Sequence, residues 1–470
     1  MQIGQLVVAL GLASQRDIDH ALDEQRRTGR RLRDILVGMG TVAQADLEQL
    51  LGSLPETPRS LDDLDIDRNI ARNVFLKAAS LSLVRDVSSV AQELCISSHL
   101  ANLLIEEARQ QRLLELRPGA AGGDLRFVLS ADGRAAAEAA FASNGYVGPL
   151  PVSLDDYAAR IRKQSVRGER VPPELVAEVF ADMVLPEERL HDIGTAMNSS
   201  KSALLYGPPG NGKTTIAERM GELFRSFCFV PYCFEVGGQI IQVFDASVHR
   251  PVHGGPAGAG GLSASIVAED YDRRWVPCHR PFVFAGGELT LEMLEVNYNP
   301  VSKFYEAPLQ VKANNGVFLI DDFGRQQVSP RDLLNRWIVP MDRGRDYHKL
   351  HTGKSFSLPF DVLLLFSTNI GPTEIMDPSF LRRISHKIYV DYPTEEEFRD
   401  IFRAELARTD LPLADDIVDY VIAHLRENGQ PLAGFQPGFI LGQVQDRRRY
   451  LGREITDARE AVRIAMKNLI

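Results

Sequence analysis

Cysteine is scarce in this chain. There are four in 470 residues, Cys95, Cys228, Cys233 and Cys278, and no C-x-x-C pair among them. That argues against a disulfide framework and leaves reduced, buried thiols as the expectation. No apolar run is long enough to cross a bilayer, and the sequence opens without a charged-then-apolar leader. A cytoplasmic location with no transmembrane segment is therefore expected. A surplus of positive charge is also missing: 53 Lys and Arg stand against 63 Asp and Glu, a formal net charge of −10. Such a balance disfavours non-specific polyanion binding by the chain as a whole, though it leaves room for a local basic patch. Hydrophobic residues at 44% and charged ones at 25% are globular proportions, and a chain of this length holds about two to four domains.

What is present centres on Ser202–Met220. The apolar run Ala203–Tyr206 reads as a buried strand. The turn Gly207-Pro208-Pro209-Gly210-Asn211-Gly212 follows, and Lys213-Thr214-Thr215 opens a helix. Gly207, Gly212, Lys213 and Thr214 satisfy G-x-x-x-x-G-K-[ST] in the strand–loop–helix context that pattern demands. Glycines let main-chain N–H groups approach a phosphate closely, at a helix N-terminus that favours negative charge. Lys213 adds a point charge for the β- and γ-phosphates, and the Thr214 hydroxyl is placed to ligate Mg²⁺. The motif implies binding of a nucleoside triphosphate.

Three downstream features extend it. Val317-Phe318-Leu319-Ile320 reads as a strand ending in Asp321-Asp322. An acid at the end of a buried strand can hold the water shell of Mg²⁺ beside Thr214, and the next acid can polarise an attacking water. A further apolar strand, Val362–Phe366, ends in Ser367-Thr368-Asn369, where Asn369 can orient that water or sense the γ-phosphate. The segment Asp377–Val390 carries Arg382 and Arg383, suited to neutralise γ-phosphate charge in a neighbouring subunit.

This ordered set, GPPGNGKT, VFLIDD, Asn369 and LRRISHKIYV, resembles the AAA+ ATPase superfamily over residues 171–470. The resemblance implies an α/β fold: an αβα P-loop domain at 171–393 and a helical lid at 394–470. It also implies ATP and Mg²⁺ as ligands and a homo-oligomeric ring, commonly hexameric, with sites completed between subunits. Asp321 would then serve the metal, and Asp322, Asn369, Arg382 and Arg383 would be catalytic. Asp192-Ile193-Gly194 looks like the loop that touches adenine in several such families, which adds Ile193 and Gly194 to the nucleotide site. Two departures stand out. Asp322 replaces the usual glutamate, and Gly434–Phe439 carries no sensor arginine, with Arg447, Arg448 and Arg449 about a helix further on.

Asp321 follows Lys213 by 108 residues, and the excess lies near 245–310. This insertion holds a glycine-rich run, HGGPAGAGG, and Lys303-Phe304-Tyr305, which can be read as a pore-facing grip on a polypeptide or as part of a self-packed insert. The spacing of His249, His253, Cys278 and His279 matches no established metal-ligand set.

A helical repeat domain is expected at 1–53, where residues 3–52 contain a repeat offset by 29 positions: Ile3, Leu6, Val7, Gly11, Gln15, Asp17 and Ile18 recur as Leu32, Ile35, Leu36, Gly40, Gln44, Asp46 and Leu47. Each copy reads as two short helices around a glycine cap, packed on its twin. The repeat resembles the small N-terminal domain of type II secretion and type IV pilus assembly ATPases. In that family R-L-G begins the repeat and can bind cyclic di-GMP. Here Gln2-Ile3-Gly4 and Arg31-Leu32-Arg33 each break the motif, so a docking module is favoured over cyclic di-GMP binding.

A linker is expected at 54–65. Residues 66–146 then read as three helices, a hairpin and a helix, similar to a winged helix-turn-helix. Residues 66–145 hold nine Lys and Arg and nine Asp and Glu, and Asn102, Glu106, Glu107 and Arg109 are a poor set for approaching phosphates. Protein docking is favoured over DNA. A second linker is expected at 147–170, its Arg160, Arg162, Lys163, Arg167 and Arg170 forming a solvated face.

The sequence thus favours an ATP-hydrolysing machine that remodels or assembles a protein partner recruited by its N-terminal domains. A DNA-acting regulator and a non-catalytic, ATP-gated scaffold stand as alternatives.

Overall fold

The computed structural model describes residues 7–8, 12–30, 32–44, 52–117, 126–252, 271–414, 416–452 and 457–469. Helix α1 (Gln15–Thr28) starts at a Ser14–Asp17 capping box and stops at Gly29, whose φ of 69° is left-handed. It packs on α2 (Leu32–Gly38), as the repeat implies. Gln2, Ile3 and Gly4 of the first copy, Arg31 of the second, and the repeat's second helix beyond Gln44 lie outside the described residues, while Arg33, which takes the place of the motif's glycine, lies in α2.

Next come α3 (Arg68–Ser80), α4 (Val87–Glu93) and α5 (Ser98–Gln110). Strands β1 (Leu114–Arg117) and β2 (Arg126–Leu129) pair antiparallel, and α6 (Ala131–Ser143) follows. Asp67, Asp86, Ser97 and Ser130 each cap a helix by accepting a backbone N–H, removing one orphan donor apiece. The order of elements is the one expected from the sequence, around a core of Phe75, Leu76, Val90, Leu100 and Phe127.

Residues 147–170 differ from the expected solvated linker. They form β3 (Val152–Ser153) and α7 (Leu154–Lys163), and Tyr157, Ile161 and Val166 are almost fully buried. Arg160 and Lys163 donate to the carbonyls of Ser53 and Gly52, and Arg167 faces Asp361 at 3.6 Å, while Arg162 and Arg170 are exposed as a solvated face requires. Alternation of apolar and charged residues here marks an amphipathic helix lying on the body of the protein.

After α8 (Pro173–Val179) and α9 (Glu187–Ser199) the central sheet begins. Its strands are β4 (Ala203–Tyr206), β9 (Phe282–Ala285), β12 (Gly316–Ile320), β15 (Val362–Thr368) and β16 (His386–Tyr389). All pairings are parallel, in the order β16-β4-β15-β12-β9. Every residue of β12 and β15 is buried, as a sheet covered on both faces requires. Val317 and Leu319 point to a layer with Ile193, Met197, Ile216 and Met220, while Phe318 and Ile320 point to one with Leu333, Leu334 and Trp337. Helices α9 and α10 (Lys213–Glu222) therefore cover one face, and α12 (Pro330–Arg343), after the short α11 (Leu309–Lys312), covers the other.

The insertion contributes two strands to a second sheet. Strands β6 (Cys233–Val236), β7 (Gln239–Gln242), β10 (Asn297–Asn299) and β11 (Phe304–Glu306) join β3 in the order β10-β11-β7-β6-β3, while β5 (Phe227–Pro231) pairs with β8 (Trp275–His279). Strand β9, inside the span read as excess, belongs to the central sheet. The pore-grip reading of Lys303-Phe304-Tyr305 does not hold. Tyr305 is 1% exposed, and its phenol meets the imidazole of His351 at the tip of the hairpin β13 (Arg345–Lys349)–β14 (Ser355–Pro359). Phe304 packs edge-on to Tyr146 at 5.6 Å, and the Lys303 ammonium donates to the Ala142 carbonyl over 2.7 Å. Apolar burial and satisfied polar groups turn these side chains inward. They join the 66–146 module to the insert sheet.

Residues 394–469 form a separate helical unit: α15 (Glu395–Ala407), α16 (Ile417–Glu427), α17 (Gln436–Leu451) and α18 (Ala458–Met466). Phe398, Phe402, Val421, Leu425, Ile440, Val444 and Val462 make its core. Short α13 (Pro372–Ile375) and α14 (Pro378–Leu381) precede β16. Among the described residues no helix is long and apolar enough to cross a membrane.

Candidate nucleotide site

The candidate site lies at the carboxyl ends of β4, β15 and β12, three adjacent parallel strands. Chain order reverses there, since β15 and β16 flank β4 on opposite sides. Crevices at such points are where open parallel sheets bind ligands.

Leaving β4, Gly207 has φ 143°, and a Cβ on it would stand 2.2 Å from the Val390 carbonyl oxygen. Only glycine fits that approach. Gly212, at φ 79°, is the N-cap of α10 with no side-chain cap, so the first N–H groups of that helix are left for another acceptor. Pro208, Pro209 and Asn211 shape the intervening turn, the Asn211 amide reaching the Pro208 carbonyl at 3.5 Å. Thr215 is exposed in the first turn of α10. The Lys213 ammonium, 6% exposed, donates to the carbonyls of Gly207 at 3.0 Å and Pro208 at 2.8 Å. Burial lowers its pKa, while Asp321 and Asp322 pull the other way.

Thr214 Oγ1 donates to Asp321 Oδ2 over 2.8 Å. A hydroxyl and a carboxylate in contact are hard oxygen donors of the kind Mg²⁺ accepts alongside phosphate and water, so these two residues fit that ion. Asp322 has φ 48°, a left-handed conformation that aspartate tolerates better than most residues. Its Oδ1 accepts from Asn369 Nδ2 over 3.1 Å. The turn is tied to the end of β15: Phe323 N–H donates to Ser367 O at 2.7 Å, and Thr368 Oγ1 to Phe323 O at 2.8 Å. Gln326 closes it, donating to Asp321 O and accepting from Gly324 N–H. Gly207–Thr214, Asp321, Asp322 and Asn369 are thus one cluster.

The paired arginines part company. Arg383 forks onto Asp342 and donates to the Ser379 carbonyl. Arg382 is exposed. Ile193 and Gly194 lie in the middle of α9, where a loop was expected. Ile193 is fully buried against the central sheet, and Asn198 Nδ2 holds the Gly194 carbonyl. Apolar spacing continuous with Ala196 and Met197 makes this segment a core helix, with no Ile193 surface open to a ligand.

The chain segment before α9 approaches the loop instead: a Cβ on Gly212 would meet the Met183 methyl at 3.9 Å. Its neighbour Asp182 pairs with Arg219 at 2.7 Å and with Arg408 of the helical unit at 3.7 Å. That unit also touches the loop through Gly434 and Phe435, which precede α17. The sequence carried no signal for Asp182, Met183 or Gln326, which owe their roles to distant partners. Arg447 and Arg449 lie exposed in the last turns of α17, at the helix end opposite the loop. His249 is committed elsewhere: Nδ1 accepts from Asp245 N–H and Nε2 meets the Lys312 carbonyl, each at 2.9 Å.

A family described as a domain of unknown function, DUF8689, matches residues 394–468, the span of the helical unit. No curated protein matches the sequence. Among solved structures, two point mutants of RuvB from Thermotoga maritima align at TM-scores of 0.34 and 0.32, with 13% and 14% identity over 67% of this chain and 72% of theirs. NtrX from Brucella abortus in complex with ADP aligns at 0.30 with 13% identity, over 52% of this chain and 47% of its own. Likeness at this level assigns no role to any residue of this chain.

Proposed function

We propose that this protein is a Mg²⁺-dependent ATPase of AAA+ type that works as a ring and remodels or assembles a protein partner. The contact that carries the proposal is Thr214 Oγ1 to Asp321 Oδ2, which joins a phosphate-binding loop to an acid two strands away. In the bound state Lys213 would serve the β- and γ-phosphates, with Thr214 and Asp321 holding Mg²⁺. Asp322, steadied by Asn369, would take a proton from the attacking water. Arg382 would reach the γ-phosphate of the adjacent subunit, with Arg383 holding its loop. Protein recruitment by the N-terminal modules is supported over DNA by the even charge of residues 66–145 and by Arg109, which forks onto Glu106 of the same helix.

Steady-state ATP hydrolysis by the full chain with Mg²⁺, and its loss in Lys213→Ala, tests the activity. Tight ATP binding without turnover would replace it with an ATP-gated scaffold, and stimulation by duplex DNA would favour the regulator. Capture of a partner by Asp322→Asn with ATP, and not by a chain lacking residues 1–146, tests recruitment.

A further inference from the structure

Strand β13 pairs with β14 alone, in a two-stranded sheet. Its inner side chains, Asp346 and His348, turn toward Arg336 and Glu295, and Phe356 and Leu358 of β14 join a buried apolar cluster. Its outer side chains are Arg345, Tyr347 and Lys349, all exposed, with Tyr347 at 57%. Phe360 N–H donates to Gly344 O and Leu350 N–H to Lys354 O, each over 2.9 Å, at the two ends of the hairpin ladder. In the register that sets His348 against Phe356, alternation then makes Asp346 and His348 the residues bonded to β14. The N–H and C=O groups of Arg345, Tyr347 and Lys349 therefore face away from it. Among the described residues no third strand takes them up. An open edge of this kind is a template for another strand.

Charge says which strand. Residues 343–355 carry Arg343, Arg345, Lys349 and Lys354 against one acid, Asp346, and that acid is 1% exposed. The local sign is opposite to the chain's net charge of −10. A second copy of β13 laid antiparallel would set Arg345 against Lys349, and like charges so opposed repel. Nucleic-acid phosphates would answer the cations, but they carry no donor for the three carbonyls. An extended acidic peptide answers both. We propose that β13 captures an acidic segment of the protein partner as an added strand, whose outer side chains read acid, apolar, acid against Arg345, Tyr347 and Lys349. This rests on the protein-partner reading given above. Alternate residues of any strand repeat every ~6.7 Å, so each carboxylate meets a cation while the apolar group lies beside the Tyr347 ring. Main-chain bonds supply the affinity, and the three side chains supply the choice of partner.

The probe is a fluorescein-labelled peptide, Thr-Glu-Thr-Val-Thr-Glu-Thr, followed by anisotropy with the full chain. It should bind, and joint Arg345→Glu and Lys349→Glu substitution should weaken it about tenfold. The same variant should prefer the peptide with lysine in place of glutamate, a gain that only folded protein can show. N-methylation of the peptide's valine should abolish binding, because that N–H faces the Tyr347 carbonyl. N-methylation of the two threonines beside it should be tolerated, because theirs face away. No binding at millimolar peptide, or equal loss from either N-methylation, overturns strand addition. Partner capture by Asp322→Asn that survives the double charge reversal overturns the β13 site alone. Binding of oligo-dT in place of the peptide, lost in the same variant and joined to DNA-stimulated ATP hydrolysis, overturns the β13 site and the protein-partner reading together.

Discussion

The Arg383 guanidinium grips both carboxylate oxygens of Asp342, with Nε 2.9 Å from Oδ1 and Nη2 2.9 Å from Oδ2, while Arg382 beside it points outward. Two adjacent arginines of equal promise in the sequence have different surroundings. Their variants should separate them. Arg382→Ala should cut ATP turnover by about a thousandfold or more with no change in thermal midpoint, and should be partly rescued by mixing with Lys213→Ala subunits. Arg383→Ala breaks a solvent-screened pair and should lower the thermal midpoint only slightly, less still at high salt. Turnover in mixed assemblies and thermal denaturation of each variant read the two effects.

Asp322 has φ 48°, so its substitutions have a backbone component. Asp322→Asn keeps a side chain that suits the left-handed region and should fold like the parent, bind ATP and stop turnover. Asp322→Ala should lose turnover and also about 1 kcal/mol of stability. Denaturant midpoints alongside single-turnover hydrolysis distinguish them.

Thr214 and Asp321 share the proposed metal position. Titration calorimetry of ATP in Mg²⁺ and in EDTA should show a metal-dependent gain in affinity for the parent. Thr214→Ala should lose most of that gain while keeping the affinity seen in EDTA, because Lys213 and the loop amides remain.

A buried ionic cluster beneath α12 makes stability depend on pH. Burial opposes ionisation of His348, but hydrogen bonds to Asp346 and Glu295 outweigh it and raise its pKa. Burial likewise opposes Asp346, and contacts with His348 and Arg336 outweigh that, bringing its pKa to about 2. The His348 contribution is complete below the unfolded value near about 6.5 and is lost as pH rises through the folded value. The Asp346 contribution is complete above about 4 and is lost as pH falls toward about 2. The thermal midpoint of the parent should exceed that of His348→Gln most between pH ~4.5 and ~6.5 and converge on it in alkali.

Asp361, at the start of β15 and 7% exposed, accepts from Ser165 Oγ and Asn315 Nδ2, each at 2.7 Å. It joins the segment after α7 to the feet of the two strands that carry Asp321 and Asn369. Asp361→Ala leaves those donors unpaired and should cost about 3 kcal/mol. Proteolysis near residues 163–171 should quicken in step with the loss of stability.

The cluster of Gly207–Thr214, Asp321-Asp322 and Asn369 was legible in the sequence because each part is local: a buried apolar strand followed at once by a polar segment. The capped helices of the 66–146 module were legible for the same reason. The basic run at 160–170 was half legible: Arg162 and Arg170 are exposed as expected, but charge alone does not say that the helix packs on the protein and that Arg160 and Lys163 reach the carbonyls of Ser53 and Gly52. Lys303-Phe304-Tyr305 misled because its partners, Ala142, Tyr146 and His351, are distant in sequence. By itself the sequence singled out the residues that we propose meet a phosphate and a metal. Tertiary structure decided that Asp321 touches Thr214, that Arg383 is bound and Arg382 exposed, that Ile193 is core, and that Phe435 rests on the loop. Those outcomes depend on strand order and on long-range packing, which no local pattern of residues encodes.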